Sequence, residues 1–169
     1  MKTALLVKLA RGMHILSAVW VFILAVVILI DVVGRIVFSQ PLPGTKEVLQ
    51  NSVIAVTFLQ IPLAIYSGSM LRTTLIHELM PAFVKKLFRT FAFALGFILF
   101  VAIAYASFPE VMDAYRIGEY EGEGSLRIYT WPIRLLIVVT AVFAAVAYLT
   151  MMVADWRGAL SEDEALINH

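Results

Sequence analysis

Residues 12–30 read Gly-Met-His-Ile-Leu-Ser-Ala-Val-Trp-Val-Phe-Ile-Leu-Ala-Val-Val-Ile-Leu-Ile without a formal charge, and Asp31 closes the run. A helix rises about 1.5 Å per residue and the hydrocarbon core of a bilayer is about 30 Å thick, so roughly 20 such residues cross it. Three further uncharged runs of similar length follow at 48–71, 90–109 and 135–154. Amides inside lipid must find partners within their own segment, so each run is expected to be helical despite its many Val, Ile and Phe residues. The alternation and short turns of a transmembrane barrel are missing. The expected fold is an all-α membrane protein with one integral domain over 1–169. Its four transmembrane helices are placed at about 12–38, 45–67, 81–108 and 132–156. The tail at 157–169, with Ser161-Glu162-Asp163-Glu164, is expected to be disordered.

Composition supports this by exclusion. Of 169 residues, 62% are hydrophobic and 15% charged, with a mean hydropathy of +0.91; soluble domains carry about a quarter charged residues. Thirteen Lys and Arg against twelve Asp and Glu give +1, without the basic excess that nucleic-acid binding requires. Cysteine is absent, which removes disulfides, thiolate metal sites, iron–sulfur clusters and cysteine nucleophiles. Lys2, Lys8 and Arg11 precede the first run as they would in an export signal. The apolar stretch nevertheless exceeds the roughly 7–15 residues of a signal core and lacks a cleavage site, so a retained anchor is expected.

Lys and Arg counts set the expected orientation. One side holds Lys2, Lys8, Arg11, Arg72, Lys85, Lys86, Arg89 and Arg157; the other holds Arg35, Lys46, Arg116, Arg127 and Arg134. The bias places both termini in the cytoplasm.

Between the runs, Asp31 and Arg35 stand one turn apart and read as a weak local ion pair. Gln40-Pro41-Leu42-Pro43-Gly44 forbids helix continuation and makes a turn, with Thr45 as the expected N-cap of the second helix and Glu47 in its first turn. Pro62 is expected to kink that helix. Ser67-Gly68-Ser69 ends it. Residues 70–79 read either as a short amphipathic helix on the membrane surface or as a tight loop. Pro81 suits the first turn of the third helix, and Lys85, Lys86, Arg89 and Trp156 read as anchors at the membrane interface. Residues 109–130 read as the longest external loop, acidic through Glu110, Asp113, Glu119, Glu121 and Glu123. Thr130 is the expected N-cap of the fourth helix, Pro132 marks its start and Trp131 is an interfacial anchor.

The centres of the four runs hold no ionisable residue, which a proton- or cation-coupled pump of this size would need. Gln60 reads as interhelical hydrogen-bonding glue. His14, His77 and His169 do not form a haem pair at bundle depth. Phosphate loops, paired metal carboxylates and nucleophile triads are missing. The reading is therefore a non-enzyme with no cofactor or metal. Ala92, Ala94, Gly96, Ala102, Ala104 and Ala106 give the third helix a small-residue character suited to close packing.

Several motifs in order carry a family resemblance: Gly34-Arg35, then Pro41-Leu42-Pro43-Gly44-Thr45-Lys46-Glu47, Ser67-Gly68-Ser69, and Gly124-Ser125-Leu126-Arg127-Ile128-Tyr129-Thr130-Trp131-Pro132. In this order the chain resembles the small membrane subunit (DctQ-like) of tripartite ATP-independent periplasmic (TRAP) transporters of the bacterial inner membrane. The resemblance implies a scaffold that braces a large multi-helix permease subunit and helps dock a periplasmic substrate-binding protein. The assembly would be a sodium-coupled secondary transporter of organic acids. The residues expected to contribute to docking are Arg35, Lys46, Glu47, Glu119, Glu121, Glu123 and Arg127. Two rival readings are a membrane anchor for a haem or quinone redox complex and a self-sufficient four-helix exporter, for which Asp31 is the nearest candidate acid.

Overall fold

The computed structural model describes residues 2–40, 42–67, 82–122 and 127–158. Residues 70–79, read as an amphipathic helix or a tight loop, and Pro81, Glu123 and the tail from residue 159 lie outside these residues. Within them lie four long helices: α1 (Lys2–Phe38), α2 (Thr45–Tyr66), α3 (Ala82–Ile117) and α4 (Trp131–Trp156). A two-residue antiparallel hairpin, β1 (Tyr120–Glu121) and β2 (Ile128–Tyr129), precedes α4 and pairs Tyr120 with Tyr129 and Glu121 with Ile128. All four helices are long and apolar enough to cross a membrane.

Two helices outrun the uncharged stretches that announced them. α1 starts at Lys2, not near residue 12, because Lys2, Lys8 and Arg11 are good helix formers and nothing in 2–11 breaks a helix. α3 passes through Pro109 and ends at Ile117, so the first part of the expected external loop is helix. Pro109 removes one N–H, leaving the Tyr105 carbonyl without its helical bond. Tyr105 is exposed, and the helix carries on around the missing bond. The stop comes at Gly118, which adopts a left-handed conformation (φ 64°) while the Glu119 N–H returns to the Ala114 carbonyl at 3.0 Å. That bond closes the helix end as a Schellman motif. At 37 and 36 residues, α1 and α3 are each about 55 Å long.

The principal packing runs α1 on α2, α2 on α4 and α4 on α3. The helices thus stand in a row, α1–α2–α4–α3, with the last helix in sequence between the second and third. The edge helix α1 buries Ala10, Ser17, Leu24 and Asp31, one residue every seven, so a single stripe meets its neighbour. The inner helices bury more: α2 buries Ser52, Ala55, Leu59, Pro62, Ile65 and Tyr66, and α4 buries an alanine-rich face including Ala141, Ala144, Ala145 and Ala147. The small residues that allow close packing are therefore concentrated on α4. On α3, Gly96 and Ala104 pack inward as expected and Ala94 is half-buried, whereas Ala92, Ala102 and Ala106 are exposed.

Gly96 faces the ring of Tyr148, which packs between Phe93 and Phe100 at centroid distances of 6.5 and 5.8 Å. A Cβ at position 96 would lie 2.6 Å from that ring. Gly96→Val is therefore expected to cost about 2 kcal/mol through overpacking. Tyr148→Leu in the same chain should recover part of it, as read by unfolding in mixed detergent micelles.

Pro62 is buried in α2, which runs unbroken through it. Gln60 donates to Ser17 Oγ on α1 at 3.1 Å, and Ser17 donates to the Val56 carbonyl at 3.4 Å. Gln60 is thus the interhelical bond that its sequence context suggested. On the other side of α2, Tyr66 Oη lies 3.0 Å from Thr150 Oγ1 of α4. Thr150 donates its own proton to the Ala147 carbonyl at 2.8 Å, so Tyr66 is the donor to it.

Candidate docking surface at the hairpin end

The α1–α2 turn and the hairpin occupy the same end of the molecule, opposite the end where α1 begins and α4 stops. At this end the turn is held by one carboxylate. Asp31 is buried, and its Oδ1 accepts the Leu42 N–H at 2.8 Å and the Thr45 hydroxyl at 3.5 Å. Its Oδ2 accepts from Arg35 Nε and Nη2, both at 2.8 Å. The weak surface pair read from sequence is thus one arm of a latch between α1 and the start of α2. Gly44, in a left-handed conformation (φ 81°), is the N-cap of α2. The Thr45 hydroxyl, expected there as the cap, turns to Asp31 and to the Leu42 carbonyl at 3.0 Å. Gly34 keeps the turn tight, since a Cβ on it would meet the Gln40 carbonyl at 3.1 Å.

A second network ties the hairpin down. Arg134 reaches Glu110 on α3 and Glu119 before β1, each at 3.0 Å. Asn51 on α2 donates to Glu121 at 2.9 Å and to the Glu47 carbonyl at 3.1 Å. Thr130 sits at the N-cap of α4, but its N–H and hydroxyl both turn to the Glu119 carbonyl, at 3.1 and 3.4 Å, and its side chain caps no helical N–H. The Tyr115 ring meets Trp131 edge-on at 5.8 Å.

The residues expected to dock a partner therefore stand in two groups. Glu119 and Glu121 are bound inside the molecule, by Arg134 and Asn51. Lys46 is exposed, Glu47 is half-buried and Arg127 lies over the Tyr120 ring at 4.7 Å on the open side of the hairpin. Arg35 leans on Asp31 yet remains 61% exposed. The bond from Asn51 to Glu121 ties the first turns of α2 to the hairpin.

At the opposite end, the residues read as interface anchors also join helices. Arg89 of α3 pairs with Asp155 of α4 at 2.8 Å, and the Asp155 side chain is only 2% exposed. Trp156 donates to Thr90 at 3.1 Å and lies under the Lys86 ammonium, 5.1 Å from the ring centre. Lys85 is half-buried beside them. Sequence reasoning paired Asp31 with Arg35 but missed its burial and its bonds to the turn, and it missed the contacts of Asn51, Arg134 and Asp155. The seven-residue spacing of Ala10, Ser17, Leu24 and Asp31 was a usable signal for the first of these; the others depend on contacts between distant helices.

These features define an integral membrane component whose buried carboxylates bind helices to one another. Among the described residues no group of three or more His, Asp or Glu side chains could hold a metal ion. The family profile described as "Tripartite ATP-independent periplasmic transporters, DctQ component" matches residues 24–158, and the chain belongs to that family. No curated protein and no solved structure matches it. The chain is accordingly a multi-pass inner-membrane protein, the small membrane component of a TRAP transporter, and associates with TRAP permease components.

Proposed function

We propose that this chain is a non-catalytic scaffold. It braces the large permease subunit of a sodium-coupled transporter of organic acids and offers, at its hairpin end, part of the surface on which the periplasmic substrate-binding protein docks. Both termini then face the cytoplasm, in keeping with the Lys and Arg bias. The observation that carries this reading is the row of helices. Its long edge helices are buried along narrow stripes and leave large apolar side chains such as Phe22, Ile36, Phe83 and Ile98 exposed. Exposed apolar surface on this scale suits lipid on one side and a large membrane partner on the other. The buried charges Asp31 and Asp155 are neutralised by arginines and hold the frame, which fits a stationary element.

The docking part rests on Lys46, Glu47 and Arg127, whose charges suit steering and register against a soluble partner. Reversing all three (Lys46→Glu, Glu47→Lys, Arg127→Glu) is expected to lower uptake at least tenfold while the permease still copurifies. Uptake at the wild-type rate in that variant would remove the docking role.

A further inference from the structure

A cleft of about 550 Å³ opens between α1, α2 and α4 beneath the hairpin. Ala55 and Leu59 form its buried floor, Leu16 and Trp20 of α1 one wall, and Pro132 to Leu136 of α4 the other. We infer that this cleft is a binding site for one acyl chain of a phospholipid from the leaflet on the hairpin side. The inference rests on the four membrane spans and stands apart from the docking role.

Three features select that occupant. The first is length: along α2 the cleft runs from Val48 to Leu59, about 16 Å of helix, which is about half of a 30 Å hydrocarbon core and so one leaflet. The second is polarity. Asn51, Ser52 and Tyr129 supply polar atoms at the hairpin end, where Asn51 meets Glu121, and the deeper lining is apolar. An amphiphile standing with its headgroup toward the hairpin matches that gradient. The third is size. The volume lies inside the range of about 300–1,000 Å³ common for sites that enclose small ligands.

The test is native mass spectrometry of the full chain, in the assembly with which it copurifies, after detergent exchange and addition of dioleoyl phosphatidylethanolamine. The wild type is expected to keep one phospholipid per chain under activation that strips the rest. Ala55→Phe and Leu136→Phe fill the cleft from two different helices and should each lower that occupancy at least tenfold. Val53→Phe adds the same ring on an exposed position of α2 outside the cleft and should leave it unchanged. Helicity by circular dichroism checks that each variant folds; if Ala55→Phe does not, Leu136→Phe decides. A wild type that keeps no phospholipid, a folded filled variant with wild-type occupancy, or a quinone or partner segment found in the cleft in its place would each overturn the assignment.

Discussion

Replacing Asp155 with alanine is expected to destabilise the folded chain by about 3 kcal/mol, the scale seen when one member of a buried ion pair is removed. The carboxylate is nearly inaccessible and sits 2.8 Å from an Arg89 nitrogen, near the end of two helices that pass through lipid. Without it the partly buried guanidinium loses this carboxylate, and a charge that loses its buried counter-ion is costly near a membrane interface. The loss should be local to the α3–α4 contact, since Trp156 to Thr90 is the neighbouring bond there. Unfolding in mixed micelles measures the size. The diagnostic comparison is Asp155→Leu with and without Arg89→Met. Apolar replacement of both partners often approaches neutrality, so the double variant should regain most of what Asp155→Leu loses. A double variant as unstable as the single one would mean that the pair is not the source of the effect.

Asp31 predicts a graded series. Asp31→Ala removes the acceptor of the Leu42 amide, the Thr45 hydroxyl and both Arg35 nitrogens together. Asp31→Asn keeps the shape and one carbonyl acceptor but loses the charge that makes the Arg35 bonds strong. Arg35→Ala leaves the turn bonded to the carboxylate. The expected order of thermal stability is wild type, then Arg35→Ala, then Asp31→Asn, then Asp31→Ala. Proteolytic cutting within 39–44 should rise in the same order, because this carboxylate closes that turn. Arg35→Ala as damaging as Asp31→Ala would show that the salt bridge, and not the bond to the Leu42 amide, holds it.

Much of the fold was legible because lipid imposes a rule that sequence displays directly: long stretches without charge become helices. The places where that reading stopped share a physical cause. Residues 109–117 read as loop because charges return at Glu110, yet the helix runs on through Pro109 to Ile117, and one missing bond beside the exposed Tyr105 did not end it. Thr45 and Thr130 looked like caps because of residue type and position, but their hydroxyls found other acceptors at the packed turn. Asp155 and Arg89 are 66 positions apart, and nothing in either neighbourhood announces the other. The α3 alanines looked like one packing face, but composition alone does not say that Ala104 meets the core while Ala92, Ala102 and Ala106 stay exposed. The external charges were visible one by one; which of them are engaged by Asn51 or Arg134 depends on how the hairpin folds back.

The spatial order of the helices has a consequence for how the protein is made. Ribosomes deliver α1, α2 and α3 before α4, yet α4 belongs between the second and third. Until the final segment leaves the translocon, α3 has no principal neighbour and α2 presents a vacant flank to the bilayer. The last helix works as a keystone: a nascent chain stopped before Trp131 would hold an α1–α2 pair and an orphan helix. Assembly of the row must therefore wait for α4, which is made after both helices it joins.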